Sequence, residues 1–134
     1  MWRGRPTMVG TGNYYRDTQK WPAGPHLFIA VGSPNPEWDG IWRGTPLNLQ
    51  GVHAGECNRH KIGIEVVGNF DKVPWSAQLE DVVLTVVVGL LRWEGTKDES
   101  QVCGHRECHS PKTCPGKAID MNVVRQKIKQ RLGA

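Results

Sequence analysis

The sequence predicts an α/β or α+β domain in which one β-sheet packs between helices. Three observations carry this. Three short runs rich in apolar and β-branched residues lie before residue 70. A long stretch after Ser76 then repeats apolar residues at helical spacing, and a second amphipathic stretch follows Asp120. At 134 residues the chain is read as one domain, long enough for a real core, with no visible internal repeat or boundary.

Residues 1–8 read as an irregular lead-in, and residues 11–20 as a short helix carrying Tyr14 and Tyr15. Trp21-Pro22-Ala23-Gly24-Pro25 stops that helix. His26-Leu27-Phe28-Ile29-Ala30-Val31 is mostly apolar, the pattern of a buried strand. Ser33-Pro34-Asn35-Pro36 is a turn, and Gly40 to Thr45 a second strand in which Ile41 and Trp42 supply β propensity. The glycine-punctuated polar segment 51–60 is a loop.

Ile62 to Gly68 is the third strand, suited by its β-branched residues to a buried sheet. Glu65 lies in its middle. A carboxylate inside such a run is costly unless it is paired or functional, whereas simple alternation would put it on a solvated face. Ser76 is the N-cap of the next helix, with Glu80 and Asp81 in its first turns. Leu79, Val82, Val83, Val86, Leu90 and Trp93 form its apolar stripe, widened by Val87, Val88 and Leu91. Valine is a poor helix former, so packing must hold this helix. Gly95 ends it, Thr96 to Ser100 form a polar loop, and the last helix places Met121, Val124, Ile128 and Leu132 on its core face.

Net charge is +4 and the pI about 9.0. That suits a polyanionic partner such as nucleic acid, a membrane surface or an acidic cell wall. Much of the excess sits in Lys117, Arg125, Lys127, Lys129 and Arg131, which a solvated helix face explains equally well. No apolar run approaches the roughly 20 residues that cross a bilayer, and the N-terminus shows no apolar signal-peptide core. The expectation is a protein made soluble in a cytoplasm, with no stable membrane insertion. Four cysteines in such a chain argue against a disulfide framework.

Three of those cysteines and two of the five histidines fall within Cys103 to Gly116. Thiolate and imidazole are the preferred ligands of zinc, so this stretch is read as a metal loop with spare thiols buried. Lys112 stands two residues before Cys114, where its charge would face a bound anion or a polarised carbonyl.

Four stretches, in order, resemble the zinc-dependent N-acetylmuramoyl-L-alanine amidases, a group that includes phage amidases and peptidoglycan recognition proteins. They are Gly24-Pro25-His26-Leu27-Phe28-Ile29, Gly51-Val52-His53-Ala54-Gly55, Ile62-Gly63-Ile64-Glu65-Val66-Val67-Gly68, and His105 through Pro115-Gly116. The resemblance covers residues from about 11 to 130 and implies an α/β fold with a single mixed β-sheet flanked by helices. It implies Zn2+ held by His105 and Cys114, with Glu65 serving the attacking water and Lys112 stabilising the oxyanion. It also implies a substrate surface with His26, His53 and Asn58, and peptidoglycan as the partner. The site of action would be the bacterial cell wall, reached in the manner of an endolysin.

Two departures follow from the same comparison. The family's first zinc histidine ends an N-terminal strand, and here no histidine precedes His26. The chain therefore reads as N-terminally shortened, metal-poor and weak in activity, with His26, His53 and Cys108 as candidates to complete the site. An absent strand leaves backbone groups that a second copy would pair, which predicts a homodimer. Where relatives carry a tyrosine before the strand histidine, this chain has Pro25. Two other readings stand beside the amidase. One is a non-catalytic peptidoglycan binder with an incomplete metal site. The other is a zinc-knuckle nucleic-acid binder using Cys103, Cys108, His109 and Cys114; the amidase reading excludes nucleic acid as partner.

Overall fold

A computed structural model describes residues 23–33, 36–51, 61–108 and 111–134. The chain divides into two compact units, one on each side of the Asn69–Phe70 bond.

The first unit is built on a three-stranded sheet of order β2-β1-β3. Strand β1 (Leu27–Ala30) pairs antiparallel with β2 (Gly40–Arg43) and parallel with β3 (Ile64–Val66). The sheet is therefore mixed, as expected. A central strand covered on both faces reads as a continuous apolar run, and Phe28, Ile29 and Ala30 are all buried. Every residue of β2 is exposed. Asp39 fixes the connection into β2, accepting from the backbone N–H groups of Gly32 and Ser33 and from the Ser33 hydroxyl.

Strand β3 is shorter than the expected 62–68. At its start the Gly63 carbonyl turns to accept both His26 N–H and Leu27 N–H. At its end Val67 N–H still reaches the Ile29 carbonyl, but Gly68 takes a φ of 143° and leaves the sheet. The expected helix over 11–20 and nearly all of the loop 51–60 lie outside the described residues.

The second unit is helical. Helix α1 (Ala77–Trp93) opens on Ser76, whose hydroxyl accepts Leu79 N–H at 3.1 Å. It closes on Gly95 at φ 75°, with Gly95 N–H bonded to Arg92 O and Thr96 N–H to Leu91 O, the paired bonds of a Schellman end. Its buried residues are Leu79, Val83, Leu84, Val87, Val88 and Leu91. The buried stripe thus centres on Val87, and Trp93, expected in it, is 64% exposed. At about 100° per residue Trp93 projects well away from that centre.

A short turn, α2 (His105–Cys108), lies within the expected metal loop. The expected polar loop at Thr96–Ser100 carries a 3₁₀ turn (Glu99–Gln101), capped by the Asp98 carboxylate on Ser100 N–H at 3.0 Å. Helix α3 (Met121–Leu132) starts from Asp120, which caps Asn122 and Val123, and buries Met121, Val124, Ile128 and Leu132. It packs on α1, with Lys127–Glu80 at 2.7 Å and Arg131–Asp81 at 2.6 Å tying their exposed flanks. No helix among the described residues is long and apolar enough to cross a membrane.

Candidate active-site residues

In the second unit, the stretch from Gly104 to Ile119 is a small ring closed by its own backbone. Gly104 precedes α2, and Glu107, three residues on, reaches back to accept Gly104 N–H at 2.8 Å. This is the acidic half of a capping box. Arg106 N–H donates to the Cys114 carbonyl at 3.0 Å, so the segment after His105 lies directly against the segment of Cys114. The Arg106 guanidinium closes the far side, donating from Nη1 to Gly116 O at 2.7 Å and from Nη2 to Ile119 O. The Cys114–Pro115 peptide is cis.

The ring is seated on Phe70 and Asp71. Ala118 N–H bonds Phe70 O at 2.9 Å, and Lys117 N–H bonds Asp71 Oδ1 at 3.0 Å. Gly116 sits at φ 134°, and a Cβ there would collide with the Phe70 backbone, so the position requires glycine. Gly104 is tight for the same reason: a Cβ would stand 2.9 Å from Pro115 Cδ.

His105 and Cys114 are both half-buried on this ring, and Cys114 is a free thiol. Lys112 is exposed. Among the described residues no group of three His, Cys, Asp or Glu side chains is gathered to hold a metal ion. The donor pair His105 and Cys114 suits zinc in kind, one imidazole nitrogen and one thiolate sulfur.

The cysteine expectation is corrected. Cys108 is disulfide-bonded, and Cys103, expected to be buried if spare, is free and exposed. Its Sγ lies 3.8 Å from Cys108 Sγ. Pairing depends on Cα atoms coming within about 4.4–6.8 Å, which spacing along the chain does not reveal. A disulfide sulfur is not a thiolate ligand, so the zinc-knuckle arrangement loses Cys108, and His109 lies outside the described residues. Four of the five residues of the basic run are ion-paired within their own unit: Arg125 meets Glu107, Lys127 Glu80, Lys129 Glu99, and Arg131 Asp81.

In the first unit, His26 is 1% exposed. Gly63 N–H donates to its Nδ1 at 2.9 Å, so Nε2 carries the proton and donates to Leu49 O at 2.7 Å. With both ring nitrogens given to backbone groups, His26 joins three segments of the unit. His26 thus makes core hydrogen bonds within the first unit. Gly51 is packed against the ring: a Cβ there would fall 2.6 Å from His26 Cε1. Glu65 stands opposite Phe28 in the sheet. Ile64, Glu65 and Val66 are all half-buried, so no alternation places the carboxylate alone in bulk solvent. His53 and Asn58 lie outside the described residues.

Comparison with known proteins decides the family. The model of the N-acetylmuramoyl-L-alanine amidase family matches residues 7–117, from before β1 into the last part of the ring. The chain belongs to this amidase family. It is similar to peptidoglycan-recognition proteins SC1a and SC1b of Drosophila melanogaster, 30% identical over 111 residues, 80% of this chain and 55% of each relative. Peptidoglycan-recognition protein SC1a/b of Drosophila simulans is 29% identical over 110 residues, 79% of this chain and 54% of the relative. The amidase chain thus spans about half the length of the curated relatives it matches. No solved structure matches it.

Sequence reasoning passed over Arg106, Glu107 and Asp71 and read Arg125 only as part of a basic run, yet these are the polar groups that give the ring its shape. The visible signal was Gly104 followed three residues later by Glu107. The Arg125 guanidinium and, to a lesser degree, Gly104 N–H hold the Glu107 carboxyl below its ordinary 4.5. Lys117 N–H, followed by the Thr113 hydroxyl, lowers Asp71 below its ordinary 3.8. A carboxylate with a depressed folded pKa adds stability above its unfolded pKa and loses it as pH falls toward the folded value. The urea midpoint of the second unit is therefore expected to drop as pH falls below about 4.5. Glu107→Gln should flatten that dependence; a profile as steep as in the unsubstituted protein would show that Glu107 does not contribute.

Proposed function

We propose that this domain hydrolyses the amide between the lactyl group of N-acetylmuramic acid and L-alanine in bacterial peptidoglycan. The observation that supports this most is the Arg106 N–H to Cys114 O bond, which joins the His105 and Cys114 segments with Lys112 on the same ring. His105 and Cys114 are the residues that would hold Zn2+, which when bound supplies a water with a pKa near 7 as nucleophile. The Glu65 carboxylate takes the proton of the attacking water and delivers it to the leaving amine. The exposed Lys112 ammonium neutralises charge as it develops on the scissile carbonyl oxygen. With His26 and Cys108 committed elsewhere, His53 remains of the three candidates named from the sequence to complete the metal site. Action at the cell wall follows from the substrate, and an endolysin setting is the one proposed.

A second reading, recognition of peptidoglycan without cleavage, is favoured by the relatives, which are named for recognition. Two purified proteins decide between them. Zinc content and release of L-alanine-terminated stem peptides from muropeptides are measured for the unsubstituted protein and for Cys114→Ser. The serine variant is expected to stay folded and to lose zinc affinity by on the order of 100-fold or more, since even groups that only support a ligand cost 10–100-fold. Peptide release should disappear with the metal. Undiminished release from Cys114→Ser would sink the zinc assignment. Tight muropeptide binding with no release from the unsubstituted protein would establish the recognition reading.

A further inference from the structure

We propose that Glu107 and Arg125 are positioning residues: their paired side chains hold the turn carrying His105 so that it and Cys114 meet one metal ion. The proposal rests on the reading of those two residues as zinc ligands. Glu107 Oε1 accepts from Gly104 N–H at 2.8 Å and from Arg125 Nη1 at 2.9 Å, and Oε2 accepts from Arg125 Nη2 at 3.0 Å. Arg125 Nη1 also donates to Val102 O at 2.9 Å, and Nη2 to Asn122 Oδ1 at 3.0 Å. Two backbone groups just before His105, Gly104 N–H and Val102 O, are thereby held by one carboxylate–guanidinium pair, whose carboxylate belongs to Glu107 just after it. That guanidinium belongs to α3, whose Val124 and Ile128 are buried in the core.

Arg106 fixes the other end of the same ring through Gly116 O and Ile119 O. His105 is thus the one residue between two anchored points, and Cys114 O receives Arg106 N–H from the same turn. An exposed ion pair by itself adds little stability. This one is bidentate, and it also satisfies a backbone donor and a backbone acceptor, so its loss loosens the ring more than it unfolds the unit. Affinity for a metal depends on ligands held in place before it arrives, which is why supporting groups are worth 10–100-fold.

The test uses the whole chain. Zinc affinity is measured by competition with a chromophoric chelator for Glu107→Gln, Arg125→Met and the double variant, with far-UV circular dichroism as the check on folding. Each single variant is expected to bind zinc about tenfold more weakly, and the double variant no more weakly than either single one. In the metal-free protein, amide exchange at Gly104 and Arg106 is expected to quicken in all three variants, while the α1 amides keep their rates. Unchanged affinity, or losses that multiply in the double variant, would overturn the proposal. Unchanged exchange at Gly104 and Arg106 would overturn it whether or not zinc is bound. Zinc binding that ignores Cys114→Ser would end the functional reading instead, and the exchange rates would then judge the clamp alone.

Discussion

Replacing His26 with alanine is expected to remove about 3–5 kcal/mol of stability. Two losses add. The ring is fully buried, so its removal leaves a cavity, and large-to-small core changes typically cost about 2–5 kcal/mol. The Gly63 N–H and the Leu49 carbonyl, both now bonded to the ring, would be left without it, and an unsatisfied buried polar group costs about 1–3 kcal/mol. Partial access of water to Leu49, which is 55% exposed, keeps the sum below the simple total. Because domains of this size are stable by only about 5–15 kcal/mol, the variant should be marginal at 37 °C. Urea unfolding followed by tryptophan fluorescence measures it, with an unchanged slope showing that two-state comparison is fair. His26→Asn and His26→Gln each place one polar atom near one of the two ring nitrogens, so each should recover part of the loss. A cost under about 1 kcal/mol for alanine would show that the ring does not bridge those backbone groups.

His26 also shows where a sequence stops being informative. As a residue type next to a strand it fitted a cleft, a metal or a core equally well, and only the positions of Gly63 and Leu49 choose the core. Both partners are distant in sequence, 37 residues away for Gly63 and 23 for Leu49. The cysteines fail for the same reason: density within Cys103–Cys114 is visible, but the sulfur that pairs with Cys108 is a matter of three-dimensional distance. Local chemistry, by contrast, was legible. Ser76 caps its helix as read, and the last helix starts at Asp120 as read, because a cap is a bond between residues two or three apart. Gly95 ends α1 for an equally local reason, and the core face of α3 follows from a narrow apolar stripe in a polar helix. The α1 stripe was harder, since apolar residues surround much of that helix and its buried centre is set by the packing. Trp93 fell outside as a result. The strands were legible as runs, but the length of β3 was set by Gly63 and Gly68 turning out of the ladder.

Glu65→Gln is expected to lower the rate of muropeptide hydrolysis by about 10²–10⁴-fold, the usual contribution of a positioned acid–base group. The substitution keeps volume and one acceptor oxygen, and the β3 ladder is made by backbone, so the variant should unfold at nearly the same urea concentration. Glutamine cannot take a proton from water, so the loss should fall on kcat more than on KM. The acid limb of the unsubstituted pH profile, which reports a base that must be ionised, should vanish with it. Muropeptide affinity separates this from lost substrate binding: a variant that binds substrate as tightly but turns it over slowly has lost chemistry alone. Turnover comparable to the unsubstituted protein would reject Glu65 as the base. Lys112→Ala supplies the internal comparison, because it removes a positive charge from the transition state and leaves the proton transfer intact. It should slow hydrolysis without removing the acid limb, and a pH profile altered identically by both substitutions would mean that neither residue has the separate role assigned to it.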